Sequence, residues 1–456
     1  MNMLLEINDV INRIVWGPPM LVLLLGTGIY LSIRTRFLSI FKFGYILKNT
    51  LFKIFKKEQA GEGEITPFQA LTTALASTVG TGNIAGVATA IALGGPGAIF
   101  WMWVSALFGM TTKFGEIVLS IMYREKTPDD RYLGGPMYYI EKGLGFKWLA
   151  VVFSLLGALA AFGIGNMVQA NSVAAALETT FGANKLITGI ILAITAGAVI
   201  LGGIKRIALV TEKLVPIMAT FYIIGALVVI FINISDFPDT ISLIFSNAFT
   251  GTAAFGGFAG STIATAMRFG VARGIFSNEA GLGSAPIAHA TATTDHPVRQ
   301  ALWGIFEVFA DTIVICSLTA FAVINSGAWK LIDPITNKMY TGAALTSKAF
   351  DMGIPVIGGY IVSVGILLFA FSTILGWAFY GERCAEFAFG TNIITFYRVA
   401  WILFIVVGAI GGLEIIWIVA DTLNGLMAIP NLIGLLGLSG VVIKLTKEFF
   451  ATKADN

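Results

Sequence analysis

Ser77-Thr78-Val79-Gly80-Thr81-Gly82-Asn83 lies inside a hydrophobic run that extends from about Pro67 to Leu93. Two glycines and several polar side chains at the centre of such a run predict a helix that breaks at membrane depth. In hydrocarbon each unpaired backbone N–H or C=O costs several kcal/mol, so a break persists only where protein buries it or where it lines a cavity. In that setting the freed backbone groups are themselves a binding site for a small solute or an ion.

The rest of the chain fits a membrane setting. Of its 456 residues 56% are hydrophobic and only 12% are charged, and the mean hydropathy is +0.84. Soluble domains carry roughly 25% charged residues. Apolar runs recur along the whole length, which predicts an all-α polytopic membrane protein. We read eleven spans, near 16–33, 67–93, 98–121, 148–177, 185–203, 214–233, 265–292, 300–324, 354–380, 398–418 and 423–443. The Phe-, Gly- and Ser/Thr-rich stretch 240–264 reads as an interfacial or re-entrant helix. The first span follows a single basic residue, Arg13, without a cleavage pattern, and is expected to be retained. Two cysteines, Cys316 and Cys384, and two histidines, His289 and His296, indicate neither a disulfide framework nor a histidine-rich metal centre.

Loop charge sets the orientation. Arg34, Arg36, Lys42, Lys48, Lys53, Lys56 and Lys57 follow the first span, whereas 214–267 holds no Lys or Arg. The N-terminus is therefore expected outside a plasma membrane. The C-terminus, with Lys444, Lys447 and Lys453, is expected in the cytoplasm.

A second interruption mirrors the first: Gly281-Leu282-Gly283-Ser284 in the seventh span, followed like Gly80–Asn83 by a run of small residues. Paired interrupted helices point to an inverted repeat. We expect an added segment 1–66, a first repeat 67–233 broken at 77–83, and a second repeat and tail 234–456 broken at 276–283. A half-helix N-terminus offers N–H groups to a carboxylate. The opposing carbonyls suit an ammonium or Na⁺, so a small zwitterion is the favoured solute. Gly86, Gly94 and Gly97 read instead as close-packing residues.

Four longer motifs carry a resemblance. They are Gly94–Trp103 with Lys113-Phe114-Gly115-Glu116, Gly165–Asn171, Arg273–Gly281 and Phe369–Trp377. Together they resemble the alanine/glycine:cation symporter family of the amino acid–polyamine–cation superfamily. The resemblance implies a LeuT-like fold of five plus five helices and Na⁺-coupled, sometimes H⁺-coupled, import of alanine or glycine. It implies sodium as the co-transported ion, no organic cofactor, no enzymatic activity and no nucleic-acid partner. It also suggests a sodium site made by Ser372, Thr373 and the carbonyls of Phe369, Ala76 and Val79, since Na⁺ prefers oxygen ligands. The competing reading gives both hydroxyls to carbonyls of their own helix. A second sodium would take Thr78, Asn83, Ser277 and Asp311. Asp311 is equally a partner for Arg273 or Lys113, and the structural pair is the favoured role. Thr78, Gly80, Thr81, Gly82, Asn83, Gln169, Phe276, Ser277 and Asn278 are the expected substrate contacts. Asn166 shares a face with Gln169. Glu279 is expected to hold the second break open, with proton acceptance as the alternative, and Glu116 with Lys113 reads as an ion pair. Under proton coupling, Glu279 or Asp311 would carry the proton.

Overall fold

The computed structural model describes residues 2–54, 61–251, 261–334, 337–411 and 414–452. Its helices of use below are α1 Asn2–Val15, α2 Pro18–Arg34, α3 Pro67–Thr78, α4 Val87–Gly94, α5 Ala98–Met122, α6 Lys147–Ala160, α7 Val168–Phe181, α8 Lys185–Ile200 and α9 Gly203–Ile232. They continue as α10 Ile263–Asn278, α11 Ala285–His289, α12 Pro297–Val308, α13 Ser317–Asn325, α14 Gly358–Phe389, α15 Ile393–Ile410 and α16 Glu414–Gly437. One two-stranded hairpin pairs β1 Glu125–Lys126 with β2 Tyr132–Leu133.

Among the described residues eight helical segments are long and apolar enough to cross a membrane. The pair Pro67–Thr78 and Gly82–Gly94 adds a broken span bent by 52°. The short α8 and the interrupted α10–α11 complete the order read from the sequence. Several limits differ. A helix, α1, precedes the first span; the sixth begins at Gly203, not 214; the ninth ends at Phe389, not 380; the tenth begins at Ile393, not 398; and the eleventh runs Glu414–Gly437, not 423–443. In the 240–264 stretch the helix Phe237–Thr250 ends at Thr250 and α10 begins at Ile263; residues 252–260 lie outside the described part of the chain. So do Lys56, Lys57 and Lys453 of the two basic segments.

The break in the second span has local causes. Thr66 and Gln69 form a reciprocal capping box, and Pro67 opens α3, which fixes its start. The helix ends at Val79, whose ψ of 87° leaves the helical region. The chain restarts as a wide π turn, Gly82–Gly86, before α4. Similar π turns interrupt the fourth span at Ala161–Met167 and the eighth at Phe309–Cys316. Single π turns inside helices are rare and gather at functional sites.

The second break is held by side chains. Glu279 ends α10 in the left-handed region at φ 57°. Asn278 Oδ1 accepts the Ala280 N–H at 3.0 Å. Glu116 Oε1 accepts the Gly281 N–H at 3.1 Å, and Asn431 Nδ2 donates to Gly281 O at 2.8 Å. Ser284 donates to Glu279. Unwound backbone inside a membrane protein is thus given the partners it needs.

Two groups of helices meet at the breaks. Helices α5, α10 and α12 pack together, while α14 packs on α6, α7 and α9. The broken helix α3 lies against α14 at very close range. A Cβ on Gly376 would stand 2.0 Å from Ser77 Oγ and 3.0 Å from Ser77 N. Overpacking of this kind costs about 1–3 kcal/mol. Gly376→Ala is therefore expected to lower thermal stability in detergent and to impair transport; unchanged melting and uptake would refute this close contact.

Candidate functional site

The two breaks and α14 line a partly open cavity of about 20 Å³, room for little more than one water-sized group. Of the expected contacts, Thr78, Gly80, Thr81, Gly82, Gln169 and Phe276 line it. Its wall also includes Ile164, Glu279, Trp377 and Asn424. Gly80 belongs where it is because a Cβ there would lie 2.6 Å from Thr373 Oγ1.

The polar groups of this wall differ in how far they are satisfied. Gln169 Nε2 donates to Ile164 O at 2.9 Å, across the π turn. Its Oε1 and the Oδ1 of Asn424 are buried without a partner among the described residues. A buried unpaired acceptor costs about 1–3 kcal/mol, so two on one cavity favour a donor-bearing occupant such as an ammonium. Gly80 N–H is already taken by Asn83 Oδ1 at 2.9 Å. The second half-helix therefore presents the N–H groups that follow Gly80, whose intrahelical acceptors are missing at a helix start.

Ser372 and Thr373 behave in a way that both earlier readings anticipate. Ser372 Oγ donates to Phe369 O at 2.8 Å and Thr373 Oγ1 to Phe369 O at 3.0 Å. Ser372 Oγ also reaches Ala76 O on the broken helix at 3.1 Å. Four of the five expected sodium ligands thus converge. Val79 is buried at the end of α3, its N–H bonded to Leu75 O at 2.8 Å.

A second polar cluster lies beyond the first half-helix. Asp311 accepts from Asn83 Nδ2 at 2.7 Å, Ser277 Oγ at 2.9 Å and Thr312 Oγ1 at 2.7 Å. Cys316 Sγ is 3.3 Å from both Asn83 and Ser277. Asn83, Ser277 and Asp311 are therefore brought together as expected. Thr78 is not with them: its hydroxyl bonds Ala74 O at 3.3 Å and the residue faces the cavity. Of the expected substrate contacts, Asn83 and Ser277, held on Asp311, and Asn278, bonded to Thr312, do not line the cavity.

Both expected ion pairs are corrected. Lys113 pairs neither with Glu116 nor with Asp311 but with Glu307 at 3.2 Å. Glu307 sits one turn before Asp311 on the same helix, directly facing α5. Glu116, three residues beyond Lys113, turns to Asn431 and the unwound Gly281. Arg273 stands over the Phe276 ring at 5.5 Å instead of pairing with Asp311. Glu279 bonds at the break to the Ser284 hydroxyl and to Trp377 Nε1 at 2.9 Å. Asn166 donates to Trp401 O at 2.8 Å, as interhelical glue.

The wall residues missed from sequence had weak signals. Trp377 closes a quoted motif, and Asn424 is a lone amide in the last apolar span. Ile164 carried no signal at all.

The family model described as the sodium:alanine symporter family matches residues 1–456. The chain belongs to this family. It is 54% identical over 445 residues to the sodium/alanine symporter AgcS of Methanococcus maripaludis, covering 97% of this chain and 96% of that one. It is 40% identical over 457 residues to a Bacillus subtilis protein named "Probable sodium/glutamine symporter GlnT", covering 99% and 92%. Among solved structures, MhsT in complex with L-phenylalanine overlays with a TM-score of 0.57 at 13% identity, covering 84% of this chain and 98% of that one. That likeness establishes the LeuT-like fold. The symporter is thus a multi-pass membrane transporter and not an enzyme. In such a fold, a cavity bounded by two broken helices is where solute is held.

Proposed function

We propose that this sodium-coupled amino-acid symporter imports alanine, with glycine as a smaller alternative. The observation that carries the reading is the cavity itself. Thr81 and Gly82 of the first break line it together with Gln169 and Asn424, whose side-chain oxygens are buried and unpartnered among the described residues.

In this scheme Na⁺ binds first, held by Ser372, Thr373 and the carbonyls of Ala76, Val79 and Phe369. It fixes α3 against α14. The substrate carboxylate then lies on the N–H groups of Thr81 and Gly82, and its ammonium meets the two amide oxygens. Phe276, Trp377 and Ile164 close on the side chain and leave room for a methyl group or hydrogen. A second Na⁺ has its ligands in Asn83, Ser277 and Asp311. The sequence repeats, 67–233 and 234–456, rock about this point, and residues 1–66 stand outside them. The N-terminus is outside and the C-terminus in the cytoplasm of a cell bounded by this plasma membrane.

The magnitude of coupling follows from charge. One positive charge crossing 100 mV gains roughly 2.3 kcal/mol, or about fifty-fold in concentration. A neutral zwitterion alone gains nothing from the voltage.

The test is uptake of labelled alanine into proteoliposomes under an inward Na⁺ gradient, with K⁺ and pH-gradient controls. Na⁺-dependent uptake competed by glycine but not by leucine is the expected result. Uptake driven by the pH gradient alone would assign coupling to a proton on Glu279 or Asp311. Competition by glutamine equal to that by alanine would overturn the size limit.

A further inference from the structure

The helix α1 belongs to neither repeat, yet it grips the helix that carries Asn424. Asn12 Nδ2 donates to Asp421 Oδ2 at 3.2 Å and to Thr422 Oγ1 at 3.0 Å. Trp16 Nε1 donates to Asp421 O at 3.0 Å. The packing is just as close: a Cβ on Gly425 would stand 2.1 Å from Val15 Cγ1 and 3.1 Å from Trp16 Cε2. These contacts bracket Asn424, which lies between Thr422 and Gly425 and lines the substrate cavity.

The distribution of polarity on α1 says where it lies. Ile7, Val10 and Ile14, spaced along one face, are exposed, while Asn12 faces protein and Asn8 Nδ2 is buried without a partner among the described residues. Glu6 and Arg13 are exposed beside them, so α1 has the mixed outer face of an amphipathic helix at a membrane interface, with its inward amides serving as interhelical glue.

The gripped helix needs holding. Pro430 lies inside α16 and has no N–H for the carbonyl four residues earlier. The ladder is therefore interrupted between the N-terminal half of α16, which bears Asp421 and Asn424, and its C-terminal half. Sharp changes of helix direction occur at such prolines. The Asp421 carboxylate also faces the charge of Arg273, which caps the Phe276 ring. Asn12 thus sits on a carboxylate one turn before Asn424, which lines the cavity.

We infer that α1 is a strap on the N-terminal half of α16 and that Asn12 is a positioning residue for Asn424, setting substrate affinity without touching substrate. This rests on the reading that the cavity takes an amino acid.

The experiment uses the full chain in proteoliposomes. Asn12→Ala is expected to raise KM for alanine about fivefold, the weight of a lost hydrogen bond, with kcat little changed. Asn12→Asp, which sets two carboxylates together, is expected to raise it further. The exchange Asn12→Asp with Asp421→Asn restores a donor and an acceptor and is expected to recover KM. In an Asn424→Ala background Asn12→Ala should add nothing, because the two act in series. A substrate-independent arm measures methanethiosulfonate labelling of Asn424→Cys, which Asn12→Ala is expected to alter severalfold. An unchanged KM with unchanged labelling, or full additivity in the Asn424→Ala background, would overturn the inference. Absent alanine uptake by the unmodified protein, with labelling still altered by Asn12→Ala, would retain the strap and reject only the substrate.

Discussion

Lys113→Met is expected to lower the thermal stability and the yield of folded protein sharply. Lys113 and Glu307 are both wholly buried, with Nζ 3.2 Å from Oε1. The other oxygen, Oε2, is 3.0 Å from His289 Nε2. Gln300 Nε2 lies 2.9 Å from His289 Nδ1; an amide there donates, so the ring proton sits on Nε2 and points at the carboxylate. Glu307 therefore depends on one neutral donor and one cation. Removing the cation leaves a buried carboxylate without a counter-charge, which costs about 3–5 kcal/mol. Folded proteins have only about 5–15 kcal/mol in hand. Monodispersity and thermal unfolding in detergent would show the loss. Lys113→Met combined with Glu307→Gln keeps a hydrogen-bonding amide and removes both charges, so most of the stability should return. A single mutant as stable as the parent would show that the ion pair contributes nothing.

The second large effect is on sodium. Ser372→Ala with Thr373→Ala is expected to raise the Na⁺ concentration for half-maximal uptake at least about tenfold, since a hydrogen bond or ligand to a charged group is worth roughly 1.5–3 kcal/mol. The competing possibility is that both hydroxyls only decorate their own helix, because each donates to Phe369 O. What separates the two is Ser372 reaching across to Ala76 O at 3.1 Å. A pair with only helix-internal roles would leave the Na⁺ dependence where it was and change stability by little. Ser372→Ala alone should carry the larger share, because it makes the shorter contact with α3.

Much of the fold was legible because a membrane imposes long apolar runs, and breaks within them are conspicuous. Gly80–Asn83 and Gly281–Ser284 stood out for that reason; Gly80, Thr81 and Gly82 line the cavity, while the second break reaches it through Phe276 and Glu279. Side-chain partners were harder to read. Lys113 and Glu116 sit three apart on one helix, which suggests a pair, but 100° per residue turns them to different neighbours. Lys113 meets Glu307, 194 residues away, and Glu116 meets Asn431. The π turns at Ala161–Met167 and Phe309–Cys316 shift the register of everything beyond them, and no residue pattern announced them. Asn424 was hidden for the opposite reason: one amide in an apolar span looks like many others until its neighbours are known.

The two broken helices, one from each predicted repeat, are sewn together on the basic face. Residues 62–65 and 291–294 form a short backbone seam: Glu64 N–H reaches Thr291 O at 2.8 Å, Thr293 N–H reaches Ile65 O at 2.8 Å and Thr294 N–H reaches Glu62 O at 3.2 Å. Arg124 crosses it, donating to Ala290 O, Ala292 O and Glu62 O. Neighbouring Arg131 instead reaches Glu386 on α14 at 2.8 Å. On this face the backbone seam ties the two broken helices to each other, while a single side-chain ion pair, Arg131 with Glu386, reaches α14. With the seam closed, the start of α3 and the end of α11 form one unit, and a parting of that unit from α14 breaks the partly buried Arg131–Glu386 pair and not the seam's backbone bonds.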